Sequence, residues 1–143
     1  MNVSIKLLND NAIVPMYATD GSAGADIFAA QSAYVDVGHT VFISTGIALA
    51  IPAGYVGLIY ARSGMACKRG LAPANCVGVL DSDFRGEIKV ALHNHGSEPQ
   101  SIQAGDRIAQ LVIQPCSQVS FNVTDTLADT ARGAGGFGST GSR

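Results

Sequence analysis

Charge is scarce in this 143-residue chain: nine Lys and Arg and eleven Asp and Glu amount to 14% of the residues and leave a formal net charge of −2. Globular chains carry about 25% charged residues, so the sequence has few of the side chains that keep a small monomer's surface wet. Burial of apolar surface against copies of the same chain is the expected remedy. The basic residues are scattered among acidic ones and form no stripe for a nucleic-acid backbone or an anionic membrane, so neither partner is expected. No apolar run approaches the ~18 residues of a spanning helix. The first residues, Met1-Asn2-Val3-Ser4-Ile5-Lys6, have no basic cluster leading into an apolar core, which predicts no signal peptide and a cytoplasmic location, or a nuclear one in a eukaryote. Cysteine is limited to Cys67, Cys76 and Cys116. Odd in number and without C-x-x-C spacing, they read as free, structural thiols of a reducing compartment. Neither G-x-S-x-G nor G-x-x-x-x-G-K-[ST] occurs, so a nucleophile-elbow hydrolase and a Walker-type phosphate binder both lack support.

What is present favours strands. The chain is 47% hydrophobic, and its 23 Val and Ile against nine Leu suit a pleated sheet better than a helix. Apolar or alternating runs at 3–8, 26–30, 34–37, 41–51, 55–60, 77–80, 87–93, 107–114 and 119–123 are separated by turn signals such as Asp20-Gly21-Ser22 and Pro52-Ala53-Gly54. Many short strands at this spacing predict an all-β sandwich or barrel in one domain. The one expected helix is a turn or two around 64–71. The boundary falls near position 131: from Arg132 onward five of twelve residues are glycine, too little side chain to bury, so 132–143 is expected to be a mobile arm on a 1–131 domain.

Three segments offer chemistry. Gly133-Ala134-Gly135-Gly136-Phe137-Gly138 fits G-x-G-x-x-G, but a dinucleotide fingerprint needs a strand before it and a helix after it, and only five residues follow. What survives is unobstructed backbone N–H groups that can close on phosphates and one ring that can stack on a base. Arg62-Ser63-Gly64 opens the expected helical turn and is either an anion site or an ordinary Ser cap beside a surface Arg. Val77-Gly78-Val79-Leu80-Asp81-Ser82-Asp83-Phe84-Arg85-Gly86-Glu87-Ile88-Lys89 reads as a hairpin whose tip holds two carboxylates. It is either a solvated turn or a place where a carboxylate holds water as a general base. Arg85 and Gly86 break a calcium-loop pattern, and His93-x-His95 lacks a third ligand for zinc.

Taken in order, these segments resemble the five motifs of the trimeric dUTPase family. They are Ala18-Thr19-Asp20-Gly21-Ser22-Ala23-Gly24-Ala25-Asp26-Ile27, then Arg62-Ser63-Gly64-Met65-Ala66, and then Asn75 through Gly78 and Asp81 to Lys89. Gly105-Asp106-Arg107-Ile108-Ala109-Gln110-Leu111 and Arg132-Gly133-Ala134-Gly135-Gly136-Phe137-Gly138-Ser139-Thr140-Gly141 complete the set. The resemblance implies a distorted jelly-roll β-barrel with one short helix, and a homotrimer whose active sites are shared between subunits. A Gly-rich arm of one subunit would close over a pocket made by two others. It implies hydrolysis of dUTP to dUMP and pyrophosphate with Mg²⁺ as cofactor, limiting dUTP and supplying dUMP for thymidylate synthesis.

Carried over position by position, Asp81 would be the general base for the attacking water. Backbone groups of Gly78, Val79 and Leu80, with Asn75 beside them, would read uracil and exclude a 5-methyl group. Phe84 would pack under the deoxyribose, and Lys89 is a further candidate contact on the sugar or base side. Arg62, Ser63, Gly64 and Gln110 would hold the triphosphate, and Asp26 would touch the phosphate-chelated Mg²⁺ through water. From the arm, Arg132 would bind the γ-phosphate, Phe137 would stack on uracil, and Gly138, Ser139 and Thr140 would close on the nucleotide. Two positions depart from the family's usual pattern: Ala61 stands for Pro and Phe84 for Tyr. The first loosens a preset φ; the second keeps the ring and loses a hydroxyl.

Overall fold

The computed structural model describes residues 1–141. The last two residues of the expected arm, at 142 and 143, lie outside the described residues. In chain order the elements are β1 (Ser4–Leu7), β2 (Ala25–Phe28), β3 (Ala33–Val35), β4 (Thr40–Ser44), β5 (Ile47–Ala50), β6 (Tyr55–Tyr60), α1 (Ser63–Arg69), β7 (Leu71–Pro73), β8 (Gly78–Leu80), β9 (Lys89–Asn94), β10 (Gln100–Ile102) and β11 (Arg107–Pro115). The architecture is jelly-roll-like, nearly all β with one short helix. The strands form sheets in the orders β2-β11-β6-β8, β4-β9-β7, β1-β5 and β10-β3, with every pairing antiparallel.

One core joins the sheets. Ile27 from β2, Val35 from β3, Ile43 from β4, Ile47 from β5, Leu92 from β9 and Ile108 from β11 are all fully buried in it. Branched side chains packed from both directions at this density are the main favourable term, at about 1.5–3 kcal/mol for each fully buried aliphatic residue. The buried polar side chains are satisfied: Asn94 donates to the carbonyls of Val35 (3.0 Å) and Glu98 (2.8 Å), and Thr45 donates to the carbonyl of Ile88.

Several sequence expectations are corrected. The run 41–51 is two strands, β4 and β5, because the chain breaks at Thr45-Gly46, where Gly46 has φ of +67°. A Cβ there would also lie 2.7 Å from the Asn9 side chain. β7 and β10 escape a hydrophobic reading because one carries Pro73 and the other is Gln-Ser-Ile. The segment around Asp81 is not a hairpin. β8 pairs with β6 while β9 pairs with β4 and β7, so 81–88 crosses from one sheet to another. The run 119–123 is no strand within this chain. All of 116–130 is exposed, and the alternating Val119, Phe121 and Val123 stand 65%, 92% and 101% open. The three cysteines are free but exposed, not structural in the sense of filling the core.

Candidate active site

β11 is the strand that organises the polar site. Its Gln110 lies directly opposite Asp26 of β2 on one side and Tyr60 of β6 on the other. Residues directly opposite across a ladder share a face, so Asp26 and Gln110 point together, and the chain leaving β6 brings Ala61 and Arg62 over them. Gln110 Nε2 donates to the carbonyl of Ala61 at 2.9 Å, which ties the β6 exit to β11. Arg62 then precedes α1 in extended conformation, with φ −87° and ψ 133°, and no side chain caps the helix. The Ser-cap reading of this turn is therefore wrong: Ser63 is the first residue of the helix, and it leaves the first-turn N–H groups uncapped by any side chain. Gly70, at φ +66°, ends the helix in a left-handed turn, with basic Lys68 and Arg69 in the last turn.

Asp26 is buried and sits between two guanidinium groups. Arg62 Nε donates to its Oδ1 at 2.7 Å, and Arg107 Nη1 donates to its Oδ2 at 3.2 Å. Arg62 Nη1 also donates to the carbonyl of Arg107 at 3.2 Å. An ionised carboxylate this deep is tenable only when paired and hydrogen-bonded, and here both oxygens are engaged. Around it a cavity of about 280 Å³ is lined by Ser22, Gly24, Asp26, Arg62, Ser63, Gly64 and Gln110, with Ala18 and Ala23. The residues expected to cradle a triphosphate are thus assembled in one place. Arg107, which pairs with Asp26 from a position opposite Phe28, was missed as a contributor; its place in the Gly105-Asp106-Arg107 motif at the head of the last long strand was the available signal.

Asp81 lies elsewhere. With Val79, Ser82, Asp83, Tyr55, Cys116 and Gln118 it lines a second cavity of about 510 Å³ on the far end of β6. The turn beyond it is internally braced: the Phe84 N–H donates to the Asp81 carbonyl at 3.2 Å, and Arg85 Nη1 donates to the carbonyls of Ser82 and Phe84 at 2.7 and 2.8 Å. That role falls to Arg85 acting on backbone oxygens; Asp83 makes no ion pair among the described residues. The Phe84 ring lies over Gly86, where a Cβ would come within 2.7 Å of Cζ, and its outer side is open to solvent. Asn75 stands beside the start of β8, its Nδ2 3.6 Å from where a Cβ on Gly78 would be. Lys89 opens β9 opposite Ser44 and pairs with Glu87 at 3.7 Å. Glu87 itself accepts from the Ser44 hydroxyl and, at 3.0 Å, from the Gly46 N–H. Those bonds hold its pKa below the ordinary 4.5, the Ser44 hydroxyl contributing most.

The arm residues form tight turns among themselves. Arg132 Nε donates to the carbonyl of Gly135 at 2.8 Å, Ser139 N–H to that of Gly136 at 3.0 Å, and Phe137, in left-handed conformation at φ +46°, is fully exposed. Within one chain, then, Asp81, the Arg62 cradle and the arm with Gly138 and Thr140 are not brought together. The His93 and His95 rings meet at a tilt of 59° with centroids 4.3 Å apart, and His93 Nδ1 bonds the Thr40 hydroxyl at 2.9 Å. No three metal-binding side chains converge among the described residues.

Comparison with known proteins shows the family. The family model described as dUTPase matches residues 10–141. The deoxyuridine 5'-triphosphate nucleotidohydrolase of Corynebacterium diphtheriae is 46% identical over 140 residues, covering 97% of this chain and 92% of that protein. The Staphylococcus bacteriophage 80alpha dUTPase solved with dUpNHpp superposes with a TM-score of 0.92 at 28% identity, covering 98% of each chain. A dUTPase of phage phi11 of S. aureus, 26% identical with a TM-score of 0.81 and covering 88% of this chain and 98% of that one, was described for its coordination of a structural Mg(II) ion. With its motifs in order, a cradle built around Asp26 and Arg62, and a match that runs from position 10 into the arm, the chain belongs to the dUTPase family.

Proposed function

We propose that this chain hydrolyses dUTP to dUMP and pyrophosphate in a homotrimer, at sites where Asp81 of one subunit, the Arg62 cradle of a second and the arm of a third meet. The observation that carries the reading is the separation just described: the residues that the family resemblance assigns to the site stand in places that a single chain does not bring together. The exposed Val119, Phe121 and Val123 support self-association, since an alternating apolar strand sequence without a partner in its own chain is suited to one in another.

In the reaction the Asp81 carboxylate takes a proton from water, whose oxygen attacks the α-phosphorus. The bond from that phosphorus to the bridging oxygen breaks, and pyrophosphate leaves with the electron pair. Phosphoryl transfer asks for positioning and charge neutralisation more than for covalent chemistry, and Arg62, Ser63, Gly64, Gln110 and Arg132 supply donors for that. Gly78, Val79, Leu80 and Asn75 would read the uracil edge, Phe84 would carry the sugar on its ring, with Lys89 near by, and Phe137, Gly138, Ser139 and Thr140 would close the site.

Magnesium fits as an ion carried by the substrate. No cage of acidic or soft ligands exists among the described residues, and Mg²⁺ is habitually held by phosphates, water and one or two carboxylates. Asp26, with both oxygens engaged by guanidinium groups, would meet it only through water. Bound to the phosphates, the ion would offset charge developing on the leaving group. The location proposed is the cytoplasm; no helix is long and apolar enough to cross a membrane among the described residues.

The decisive measurement is pyrophosphate release from dUTP, dTTP, dCTP and UTP in Mg²⁺. Turnover confined to dUTP is expected, and equal rates on all four would defeat the reading. Asp81→Asn should lower kcat by about 10²–10⁴-fold while dUTP still binds. Sedimentation near the 14.7 kDa of one chain would defeat the shared site.

A further inference from the structure

We infer that Arg107 is a positioning residue for the triphosphate cradle, keeping Arg62 turned toward phosphate by occupying the second oxygen of the carboxylate they share. The inference rests on the reading of Arg62 as a phosphate ligand.

The geometry is a closed ring of three residues. Arg62 Nε reaches Asp26 Oδ1 at 2.7 Å, Arg107 Nη1 reaches Oδ2 at 3.2 Å, and the Arg107 carbonyl accepts from Arg62 Nη1 at 3.2 Å. A guanidinium beside a lone carboxylate prefers a fork, with two parallel N–H bonds to the two oxygens. Arg62 makes only one of these, because Arg107 holds the other oxygen. Among the described residues no hydrogen bond engages Arg62 Nη2, and Arg62 lines the cavity together with Ser63, Gly64 and Gln110. Removing the Arg107 side chain would vacate Oδ2 and let Arg62 rotate into the fork, withdrawing the donor that a phosphate needs.

Charge acts in the same direction. Among the described residues Arg62 is the only cationic one lining that cavity, and its pair with Asp26 alone is neutral. With Arg107 the ring carries one net positive charge, which attracts a polyanion where the bare pair would not. The β-bulge between Arg107 and Ala109 fixes the geometry: it places Arg107 opposite Phe28, two residues along β2 from Asp26 and so on the same face. Arg107 itself is half-exposed and does not line the cavity.

The alternative is a plain staple between β2 and β11, which would weaken the fold and every ligand alike. The test compares wild type, Arg107→Ala and Arg107→Lys as assembled protein with Mg²⁺. It reads KM and kcat for dUTP, binding of inorganic tripolyphosphate, binding of deoxyuridine, and the thermal midpoint. For Arg107→Ala, the KM for dUTP and the tripolyphosphate dissociation constant should rise about ten-fold, the effect of one charge-assisted hydrogen bond. Deoxyuridine binding should not move, and kcat should stay within about three-fold. Arg107→Lys keeps the charge but not the guanidinium N–H on Oδ2, and should recover part of the loss. An unchanged KM, or equal weakening toward tripolyphosphate and deoxyuridine, overturns the proposal. If Arg107→Ala fails to fold, a folded Arg107→Lys with wild-type tripolyphosphate affinity overturns it as well. A wild type inert toward dUTP would remove the dUTPase reading, while tripolyphosphate binding would still report on Arg107.

Discussion

Gln110 occupies the space that a side chain at Gly24 would need. A Cβ on Gly24 would lie 2.9 Å from Gln110 Oε1 and 3.2 Å from its Cβ, while the other end of the same amide donates to the Ala61 carbonyl. The glycine of the first motif and the glutamine of the fourth are therefore complementary halves of one contact, and the amide that faces the cavity is held from both sides.

Gly24→Ala should accordingly harm function more than folding. The amide end can swing away from the new methyl, so overpacking should cost no more than about 1–3 kcal/mol, but the Ala61 bond and the cavity-facing pose are lost together. The expected result is a raised KM for dUTP with a thermal midpoint lowered by only a few degrees. A wild-type KM in a folded Gly24→Ala protein would contradict it.

Glu87 gives the fold an acid-sensitive tie between β9 and the β4–β5 turn. Its pKa is lowered from 4.5 in the folded chain, first by the Ser44 hydroxyl and then by the Gly46 N–H and Lys89. A folded pKa below the unfolded one contributes stability that is complete above about 4.5 and disappears as pH falls through the folded value. Denaturant titrations of wild type and Glu87→Gln should show wild type more stable at pH 7, with the gap closing below pH 4.5. A gap that does not change with pH would mean that the carboxylate's charge is not what matters.

Phe137 is fully exposed. Phe137→Ala should leave the thermal midpoint unchanged and weaken dUTP binding by the loss of one stacking contact, about 1–3 kcal/mol. A drop in the thermal midpoint would show that the ring belongs to the folded body instead.

Much of the site was legible because its motifs are local. The Arg62-Ser63-Gly64 turn, the acidic run at Asp81 and the Gly-rich arm each read directly from a few adjacent residues. The ring of Asp26, Arg62 and Arg107 was not legible. It depends on the register of β2 against β11 and on a bulge near Arg107, and register is a property of pairs of strands. The apparent hairpin at 81–88 failed for a related reason: a turn signal says that the chain bends, not which neighbour the next strand finds. At 119–123 the alternation is plain, but a strand also needs a partner, and among the described residues this run pairs with none.

The distance between the Asp81 cavity and the Arg62 cradle has a genetic consequence. If each site borrows its base from one subunit and its phosphate grip from another, chains carrying a damaged Asp81 and chains carrying a damaged Arg62 can rescue each other when co-assembled. Some of the mixed sites then receive an intact copy of both. Two individually dead alleles would yield a living enzyme, and a single defective allele would spread its damage into assemblies built mostly from sound chains.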